Sequence, residues 1–243
     1  MRSANPALKA NTFASYRNMA HGSDAMTIQG TVNKTGFLLL LTILSASYTW
    51  NIFFTSGMQA VTPWLYGGMI GGLVFALITV FAKRYAAITA PIYALLKGLM
   101  LGGISAYAEK YYPGVPMQAV ALTFGTLFCL LMAYKSGLIK PTENFKLGIA
   151  SATGAIFMIY MLNFILSFFG IRVPFIHESG IIGIGFSLFV VVIAALNLVL
   201  DFDFIEQGAE AGVPKFMEWF AAFGLLVTLI WLYLEFLRLL MKL

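Results

Sequence analysis

Seven runs of about 20 mostly apolar residues, at 36–55, 62–82, 88–108, 115–134, 145–169, 180–200 and from 216 or somewhat later to 240, constrain this chain more than any other feature. About 20 such residues are what a helix needs to cross the hydrocarbon layer of a bilayer. Residues that interrupt helices separate the runs: Gly57 and Pro63, Lys83-Arg84, Tyr112-Pro113-Gly114, Lys140-Pro141, Arg172-Val173-Pro174 and Gly212-Val213-Pro214. With 60% of its 243 residues hydrophobic and only 10% charged, the chain has too few polar side chains to cover a water-facing surface. The expected fold is an all-α integral membrane protein, a seven-helix bundle over residues 36–243 behind a polar tail of residues 1–35.

Basic residues give that bundle a direction. Arg2, Lys9, Arg17, Lys34, Lys83, Arg84, Lys135, Lys140, Lys146 and Lys215 fall on one side of a seven-span topology, and only Lys110, Arg172, Arg238 and Lys242 on the other. By the positive-inside rule the N-terminus is expected in the cytoplasm and the C-terminus outside. No apolar run begins early enough for a cleavable signal peptide, so the tail is expected to remain. Trp50, Trp64 and Trp231 sit near run ends, where interfacial anchors are common. The net charge of +5 is scattered between the runs, which reads as topology and not as a nucleic-acid footprint. The lone cysteine, Cys129, excludes an internal disulfide or a thiolate metal cluster.

Small residues recur at helical spacing: Gly67/Gly71 and Gly68/Gly72 in the second run and Gly98/Gly102 in the third. Such spacing lets helix backbones approach closely in lipid. Charged residues inside apolar runs are costly and therefore informative. Lys97 lies about nine residues into the third run, near 14 Å by helical rise. It is either a counter-ion or gating group, or a lysine neutralised by its surroundings or reaching a polar crevice. Asp201 and Asp203 close the sixth run and, two residues apart, point to nearly opposite helix faces. With Glu206 and Glu210 they also form an acidic stretch, and for Asp203 a solvated membrane-proximal face suffices. Glu235 lies in the last run, and Asn163 and Asn197 are neutral companions.

No catalytic constellation is visible. Ser105 and Ser179 lack the Gly-x-Ser-Gly setting of an intramembrane serine protease; His21 falls in the tail and His177 in a loop. No paired-histidine zinc motif, phosphate-binding loop or dinucleotide fingerprint occurs, so an enzyme is not expected and no cofactor is implied.

The segment Leu232-Tyr233-Leu234-Glu235-Phe236 resembles the closing signature of the transmembrane Bax inhibitor motif family, in which a Leu-Tyr-Leu-Asp-Phe pattern ends the final span. Val199-Leu200-Asp201 with Ile205 and Ala209-Glu210 is similar to that family's sixth-span end, and Ala90-Pro91-Ile92-Tyr93-Ala94 with Gly98 and Gly102-Gly103 to its third. Asn5-Pro6-Ala7-Leu8 and Asn33-Lys34-Thr35-Gly36 resemble its bacterial branch, the Bax inhibitor-1/YccA-like proteins. The resemblance implies seven helices with the last one central. It also implies a pH-sensitive Ca²⁺ leak in which one acidic residue from each of the last two spans shares a proton.

Carried over by position, Asp201 takes the sixth-span role and Glu235, in place of Asp, the seventh-span role, both also serving as transient Ca²⁺ ligands. Arg84 or Lys83 matches a basic latch at the end of the second span. Two neighbouring carboxylates that cannot both ionise cheaply make a proton switch, and their deprotonation leaves hard oxygen ligands suited to Ca²⁺. The 34 positions between Asp201 and Glu235 strain this pairing. If the chain turns at Gly212, the two are offset by roughly 18 Å along the axis, and Glu218 becomes the alternative partner. The expectation is a cation leak in a bacterial cytoplasmic membrane, with the lipid bilayer, Ca²⁺ and H⁺ as partners. Its rivals are a non-transporting regulator that binds other membrane proteins, such as a quality-control protease, and a proton-coupled transporter using Lys97.

Overall fold

The computed structural model describes residues 25–169 and 180–243. Arg2, residues 5–8, Lys9, Arg17, His21, Arg172, Val173, Pro174, His177 and Ser179 lie outside them. The described residues are helical throughout apart from short connections and contain no strand beyond an isolated bridge between Ala25 and Pro214. In chain order the helices are α1 (Ile28–Phe81), a 3-10 turn (Lys83–Tyr85), α2 (Ala86–Tyr111), α3 (Val115–Lys135), α4 (Glu143–Phe168), α5 (Ile181–Glu210) and α6 (Met217–Leu240). Among the described residues, six helices are long and apolar enough to cross a membrane.

The first two apolar runs both fall within α1, whose 54 residues would span about 80 Å if straight. It is not straight. At Gly57 the backbone leaves helical geometry (φ 82°, ψ 178°) and two helices join there. That combination of angles is open essentially to glycine alone. Pro63, the other expected breaker, is instead accommodated inside the helix.

Two helix ends extend beyond their apolar runs. α1 starts at Ile28, eight residues before Gly36, because Thr27 caps it by accepting from the Gly30 amide at 2.9 Å. α5 continues to Glu210, ten residues past Leu200, so Asp201 and Asp203 sit within a helix and not at its end. The hydroxyls of Thr31, Thr35, Thr42 and Thr79 are tolerated in an apolar setting because the first three are donated to the carbonyl four residues earlier, as is that of Thr79 to Phe75.

The chain forms two compact units. One contains residues 117–203 and 228–243, comprising α3, α4, most of α5 and the C-terminal half of α6. Its core joins Ile149 and Ile156 of α4 to Val190, Ile193 and Leu200 of α5, with Trp231 of α6 packed against them. The other unit contains α1, α2 and residues 204–227, which include the first half of α6. There Gly98 and Gly102 of α2 meet the first half of α1. A Cβ on Gly98 would strike the Thr42 carbonyl, and one on Gly102 the Ala46 carbonyl. Gly68 faces the Leu96 carbonyl in the same manner. Gly67 faces open space, so only part of the expected glycine stripe is a packing surface. α6 is the most buried helix in its apolar stretch, at 83%.

Candidate functional site

Three carboxylates are buried in these apolar helices: Asp201 at 0%, Glu218 at 0% and Glu235 at 1% exposure. Burial of an ionised carboxylate is costly unless it is paired and hydrogen-bonded. For two of the three, the compensating groups are plain.

Glu235, in the first unit, is held from α4 and from its own helix. Arg238 Nη1 donates to both carboxylate oxygens at 2.9 and 2.8 Å, being one turn further along α6. The Tyr160 hydroxyl of α4 lies 3.2 Å from both, and Trp231 Nε1 donates to Oε1 at 3.2 Å. Arg238 also reaches the Tyr160 hydroxyl at 2.5 Å and stacks over that ring at 5.1 Å. Trp231 therefore serves this carboxylate besides any interfacial role. Just beyond the helix, Lys242 donates to the Gly183 carbonyl at 3.1 Å and to Ser187 Oγ at 2.9 Å. Burial, and then the charge of Arg238, hold its ammonium below the ordinary lysine range.

Asp203, in the same unit, is ion-paired with Lys146 of α4 at 2.7 Å, and Glu143 stands 3.6 Å from that lysine. A solvated face is thus the wrong description of Asp203. Its side chain is only 16% exposed, and Lys146, 5% exposed as a residue, is buried against it. Asp201 points the other way, as the two-residue spacing requires, and is buried. Nearby, Asn197 bridges α5 to α4 by donating to Thr153 Oγ1 at 2.9 Å.

The structure does not bring Asp201 and Glu235 to one level. Lys146, the partner of Asp203, and Tyr160, the partner of Glu235, are 14 residues apart on α4, about 21 Å by helical rise. Asp201 precedes Asp203 by only about 3 Å, so two separate layers of unit one hold the residues expected to share a proton.

Glu218, in the second unit, closes the start of α1. Oε1 accepts from the Thr27 amide and hydroxyl, both at 2.9 Å, while Oε2 is ion-paired with Lys34. The Lys34 ammonium also lies 5.4 Å from the Trp219 ring. Of the expected latch pair, Lys83 is the residue turned to α6, its Nζ 5.3 Å from the Phe220 ring, whereas Arg84 is exposed. Lys97 lays its stem on Gly72 and holds its ammonium 5.9 Å from the Tyr93 ring.

Lys34, Lys146, Tyr160 and Arg238 were not expected as site residues. The signals for Lys34, Lys146 and Arg238 in sequence are their places at helix ends, which read equally well as topology. Tyr160 has none. Among the described residues no cluster of three or more His, Cys, Asp or Glu could hold a metal ion.

Residues 5–243 match the family described as Bax inhibitor 1 like. The chain belongs to that family. No curated protein and no solved structure matches it. With its family and its apolar helices, this Bax inhibitor 1 like chain is a multi-pass membrane protein.

Proposed function

We propose that the chain is a seven-span, pH-sensitive cation leak, with Ca²⁺ as the ion carried, gated by protonation of buried carboxylates. The observation that carries this reading is the complete burial of Asp201 within α5, a helix of membrane-spanning length. A carboxyl group in such a place changes its neighbours' arrangement when it gains or loses a proton, and its ionised form offers hard oxygens to Ca²⁺. Because Asp201 and Glu235 occupy different layers, the gate is assigned to Asp201. Glu235 belongs to a cluster with Arg238, Tyr160 and Trp231 that ties α4 to α6.

The length of α1 and one contact support seven crossings. The 54 residues of α1 are more than twice the number that one crossing needs, and the break at Gly57 suits a turn between two crossings. The start of α1 also meets the start of α6 through Thr27, Lys34 and Glu218. Those two helix starts share a membrane face only if the number of crossings before α6 is even. Counting α1 as two satisfies this; counting it as one does not. With the basic residues distributed as above, that face is the cytoplasm.

The test is Ca²⁺ flux into liposomes containing the purified protein, at pH 6 and pH 8. The parent should leak faster at the higher pH. Asp201→Asn, fixed in a neutral form of nearly the same shape, should leak slowly at both. A parent with no flux at either pH defeats the reading, and an unchanged pH response in Asp201→Asn removes the gate from that residue.

A further inference from the structure

A helix that begins with Thr, Ser or Asp commonly carries Glu or Gln three residues later. The cap side chain then accepts from the amide at that third position, whose own carboxylate returns to the cap residue's amide. α1 has the first half of this arrangement: Thr27 is the cap and accepts from the amide of Gly30. The second half has no side chain, because the third position is glycine. The missing carboxylate is supplied by another helix. Glu218 Oε1 accepts from the Thr27 amide and hydroxyl, and the Glu218 carboxylate fills the space in which a Cβ on Gly30 would lie. Its second oxygen takes Lys34, the residue that a glutamate at position 30 would pair with one turn on.

We infer that Glu218 caps α1 in trans, and that this exchange of a local carboxylate for a distant one turns the cap into a detachable latch between the first and last helices. Gly30 is what makes the latch possible, since any side chain there displaces Glu218. The contacts beside it follow the same path: the Met26 amide donates to the Val213 carbonyl at 2.7 Å, Ala25 bridges to Pro214, and Phe37 packs edge-on to Trp219 at 6.0 Å. Residues 25–37 thus form a strap on the start of α6 and the segment before it, in which the Glu218 carboxylate makes the charged fastening. The device stands apart from the leak, because it concerns the attachment of α1 whether or not ions pass.

Because Gly30 separates capping from latching, the two roles can be tested independently. The full-length protein, in lipid vesicles and in a Cys129→Ala background, is read by hydrogen exchange at the Thr27 amide. A second reading is the rate of disulfide formation between Met26→Cys and Val213→Cys. Glu218→Met removes every acceptor at similar size. The Thr27 amide should then exchange about tenfold faster or more, and cross-linking should slow several-fold. Adding Gly30→Glu to Glu218→Met restores the cap within α1, so exchange should return to the parental rate while cross-linking stays slow. Lys34→Met, a milder change in case Glu218→Met fails to fold, should slow cross-linking and leave Thr27 protected. The inference is overturned if Thr27 exchange in Glu218→Met stays within about twofold of the parent. It is equally overturned if Gly30→Glu restores both readings, since Glu218 would then be a cap and not a latch, or if Lys34→Met leaves cross-linking unchanged.

Discussion

The Glu235 cluster illustrates how single side chains make an acidic residue tolerable in an apolar helix. Its carboxylate is 2% exposed and depends on Arg238, which is one-third exposed, together with Tyr160 and Trp231. Removing one partner of a buried pair leaves the other charge uncompensated, which costs more than removing both. Arg238→Met should therefore destabilise the protein by about 3 kcal/mol, the lower part of the usual range because the arginine is partly wet. The double substitution Arg238→Met with Glu235→Gln should recover at least half of that loss. Denaturation in mixed micelles measures both. Equal losses in the single and the double would show that the pair contributes through shape and not charge. The glutamate was legible from the closing signature of the last span, but its partners were not. A tyrosine 75 residues earlier becomes a hydrogen-bond donor only through the packing of α4 on α6.

At the scale of elements, glycine separates into positions with different physical duties. Gly57 turns the backbone where φ is 82°, and Gly57→Ala should cost about 1–3 kcal/mol in the same denaturation measurement, from backbone strain alone. Gly98 and Gly102 set the approach of α2 to α1, so a leucine at either must push the helices apart. We expect loss of folded protein, seen as aggregation on size exclusion in detergent. Gly67→Leu, facing open space, should elute as the parent does. An unaltered profile for Gly98→Leu would contradict the close approach described here. The sequence pattern predicted close packing for all of these glycines, because spacing reveals a stripe but not which neighbour covers it. Helix ends lie beyond the apolar runs for a related reason. Hydropathy marks where apolar residues stop, whereas α1 and α5 continue for as long as caps and ion pairs satisfy their polar turns.

For the whole molecule, topology is the property most open to direct test. Reporters fused before Met1 and after Leu243 should fall on opposite sides of the membrane, the first cytoplasmic. Both on one side would mean that α1 does not cross twice. Within the first unit, the Glu235 cluster lies about 21 Å along α4 from the Lys146–Asp203 pair.

Apolar runs of membrane-spanning length, few charges and the ordered motifs around Pro91, Asp201 and Glu235 determined by themselves that this is a helical membrane protein of its family. Those signals are local: each is read within about 20 consecutive residues, the span that a bilayer imposes. What only the tertiary structure decided is which charges meet. Glu218 found Thr27 and Lys34 almost 200 positions away, Asp203 found Lys146, and Asp201 and Glu235 fell into different layers. Such pairings depend on the axial register of neighbouring helices. Helical rise shifts that register by 1.5 Å for every residue in a helix or turn, and no local pattern encodes it.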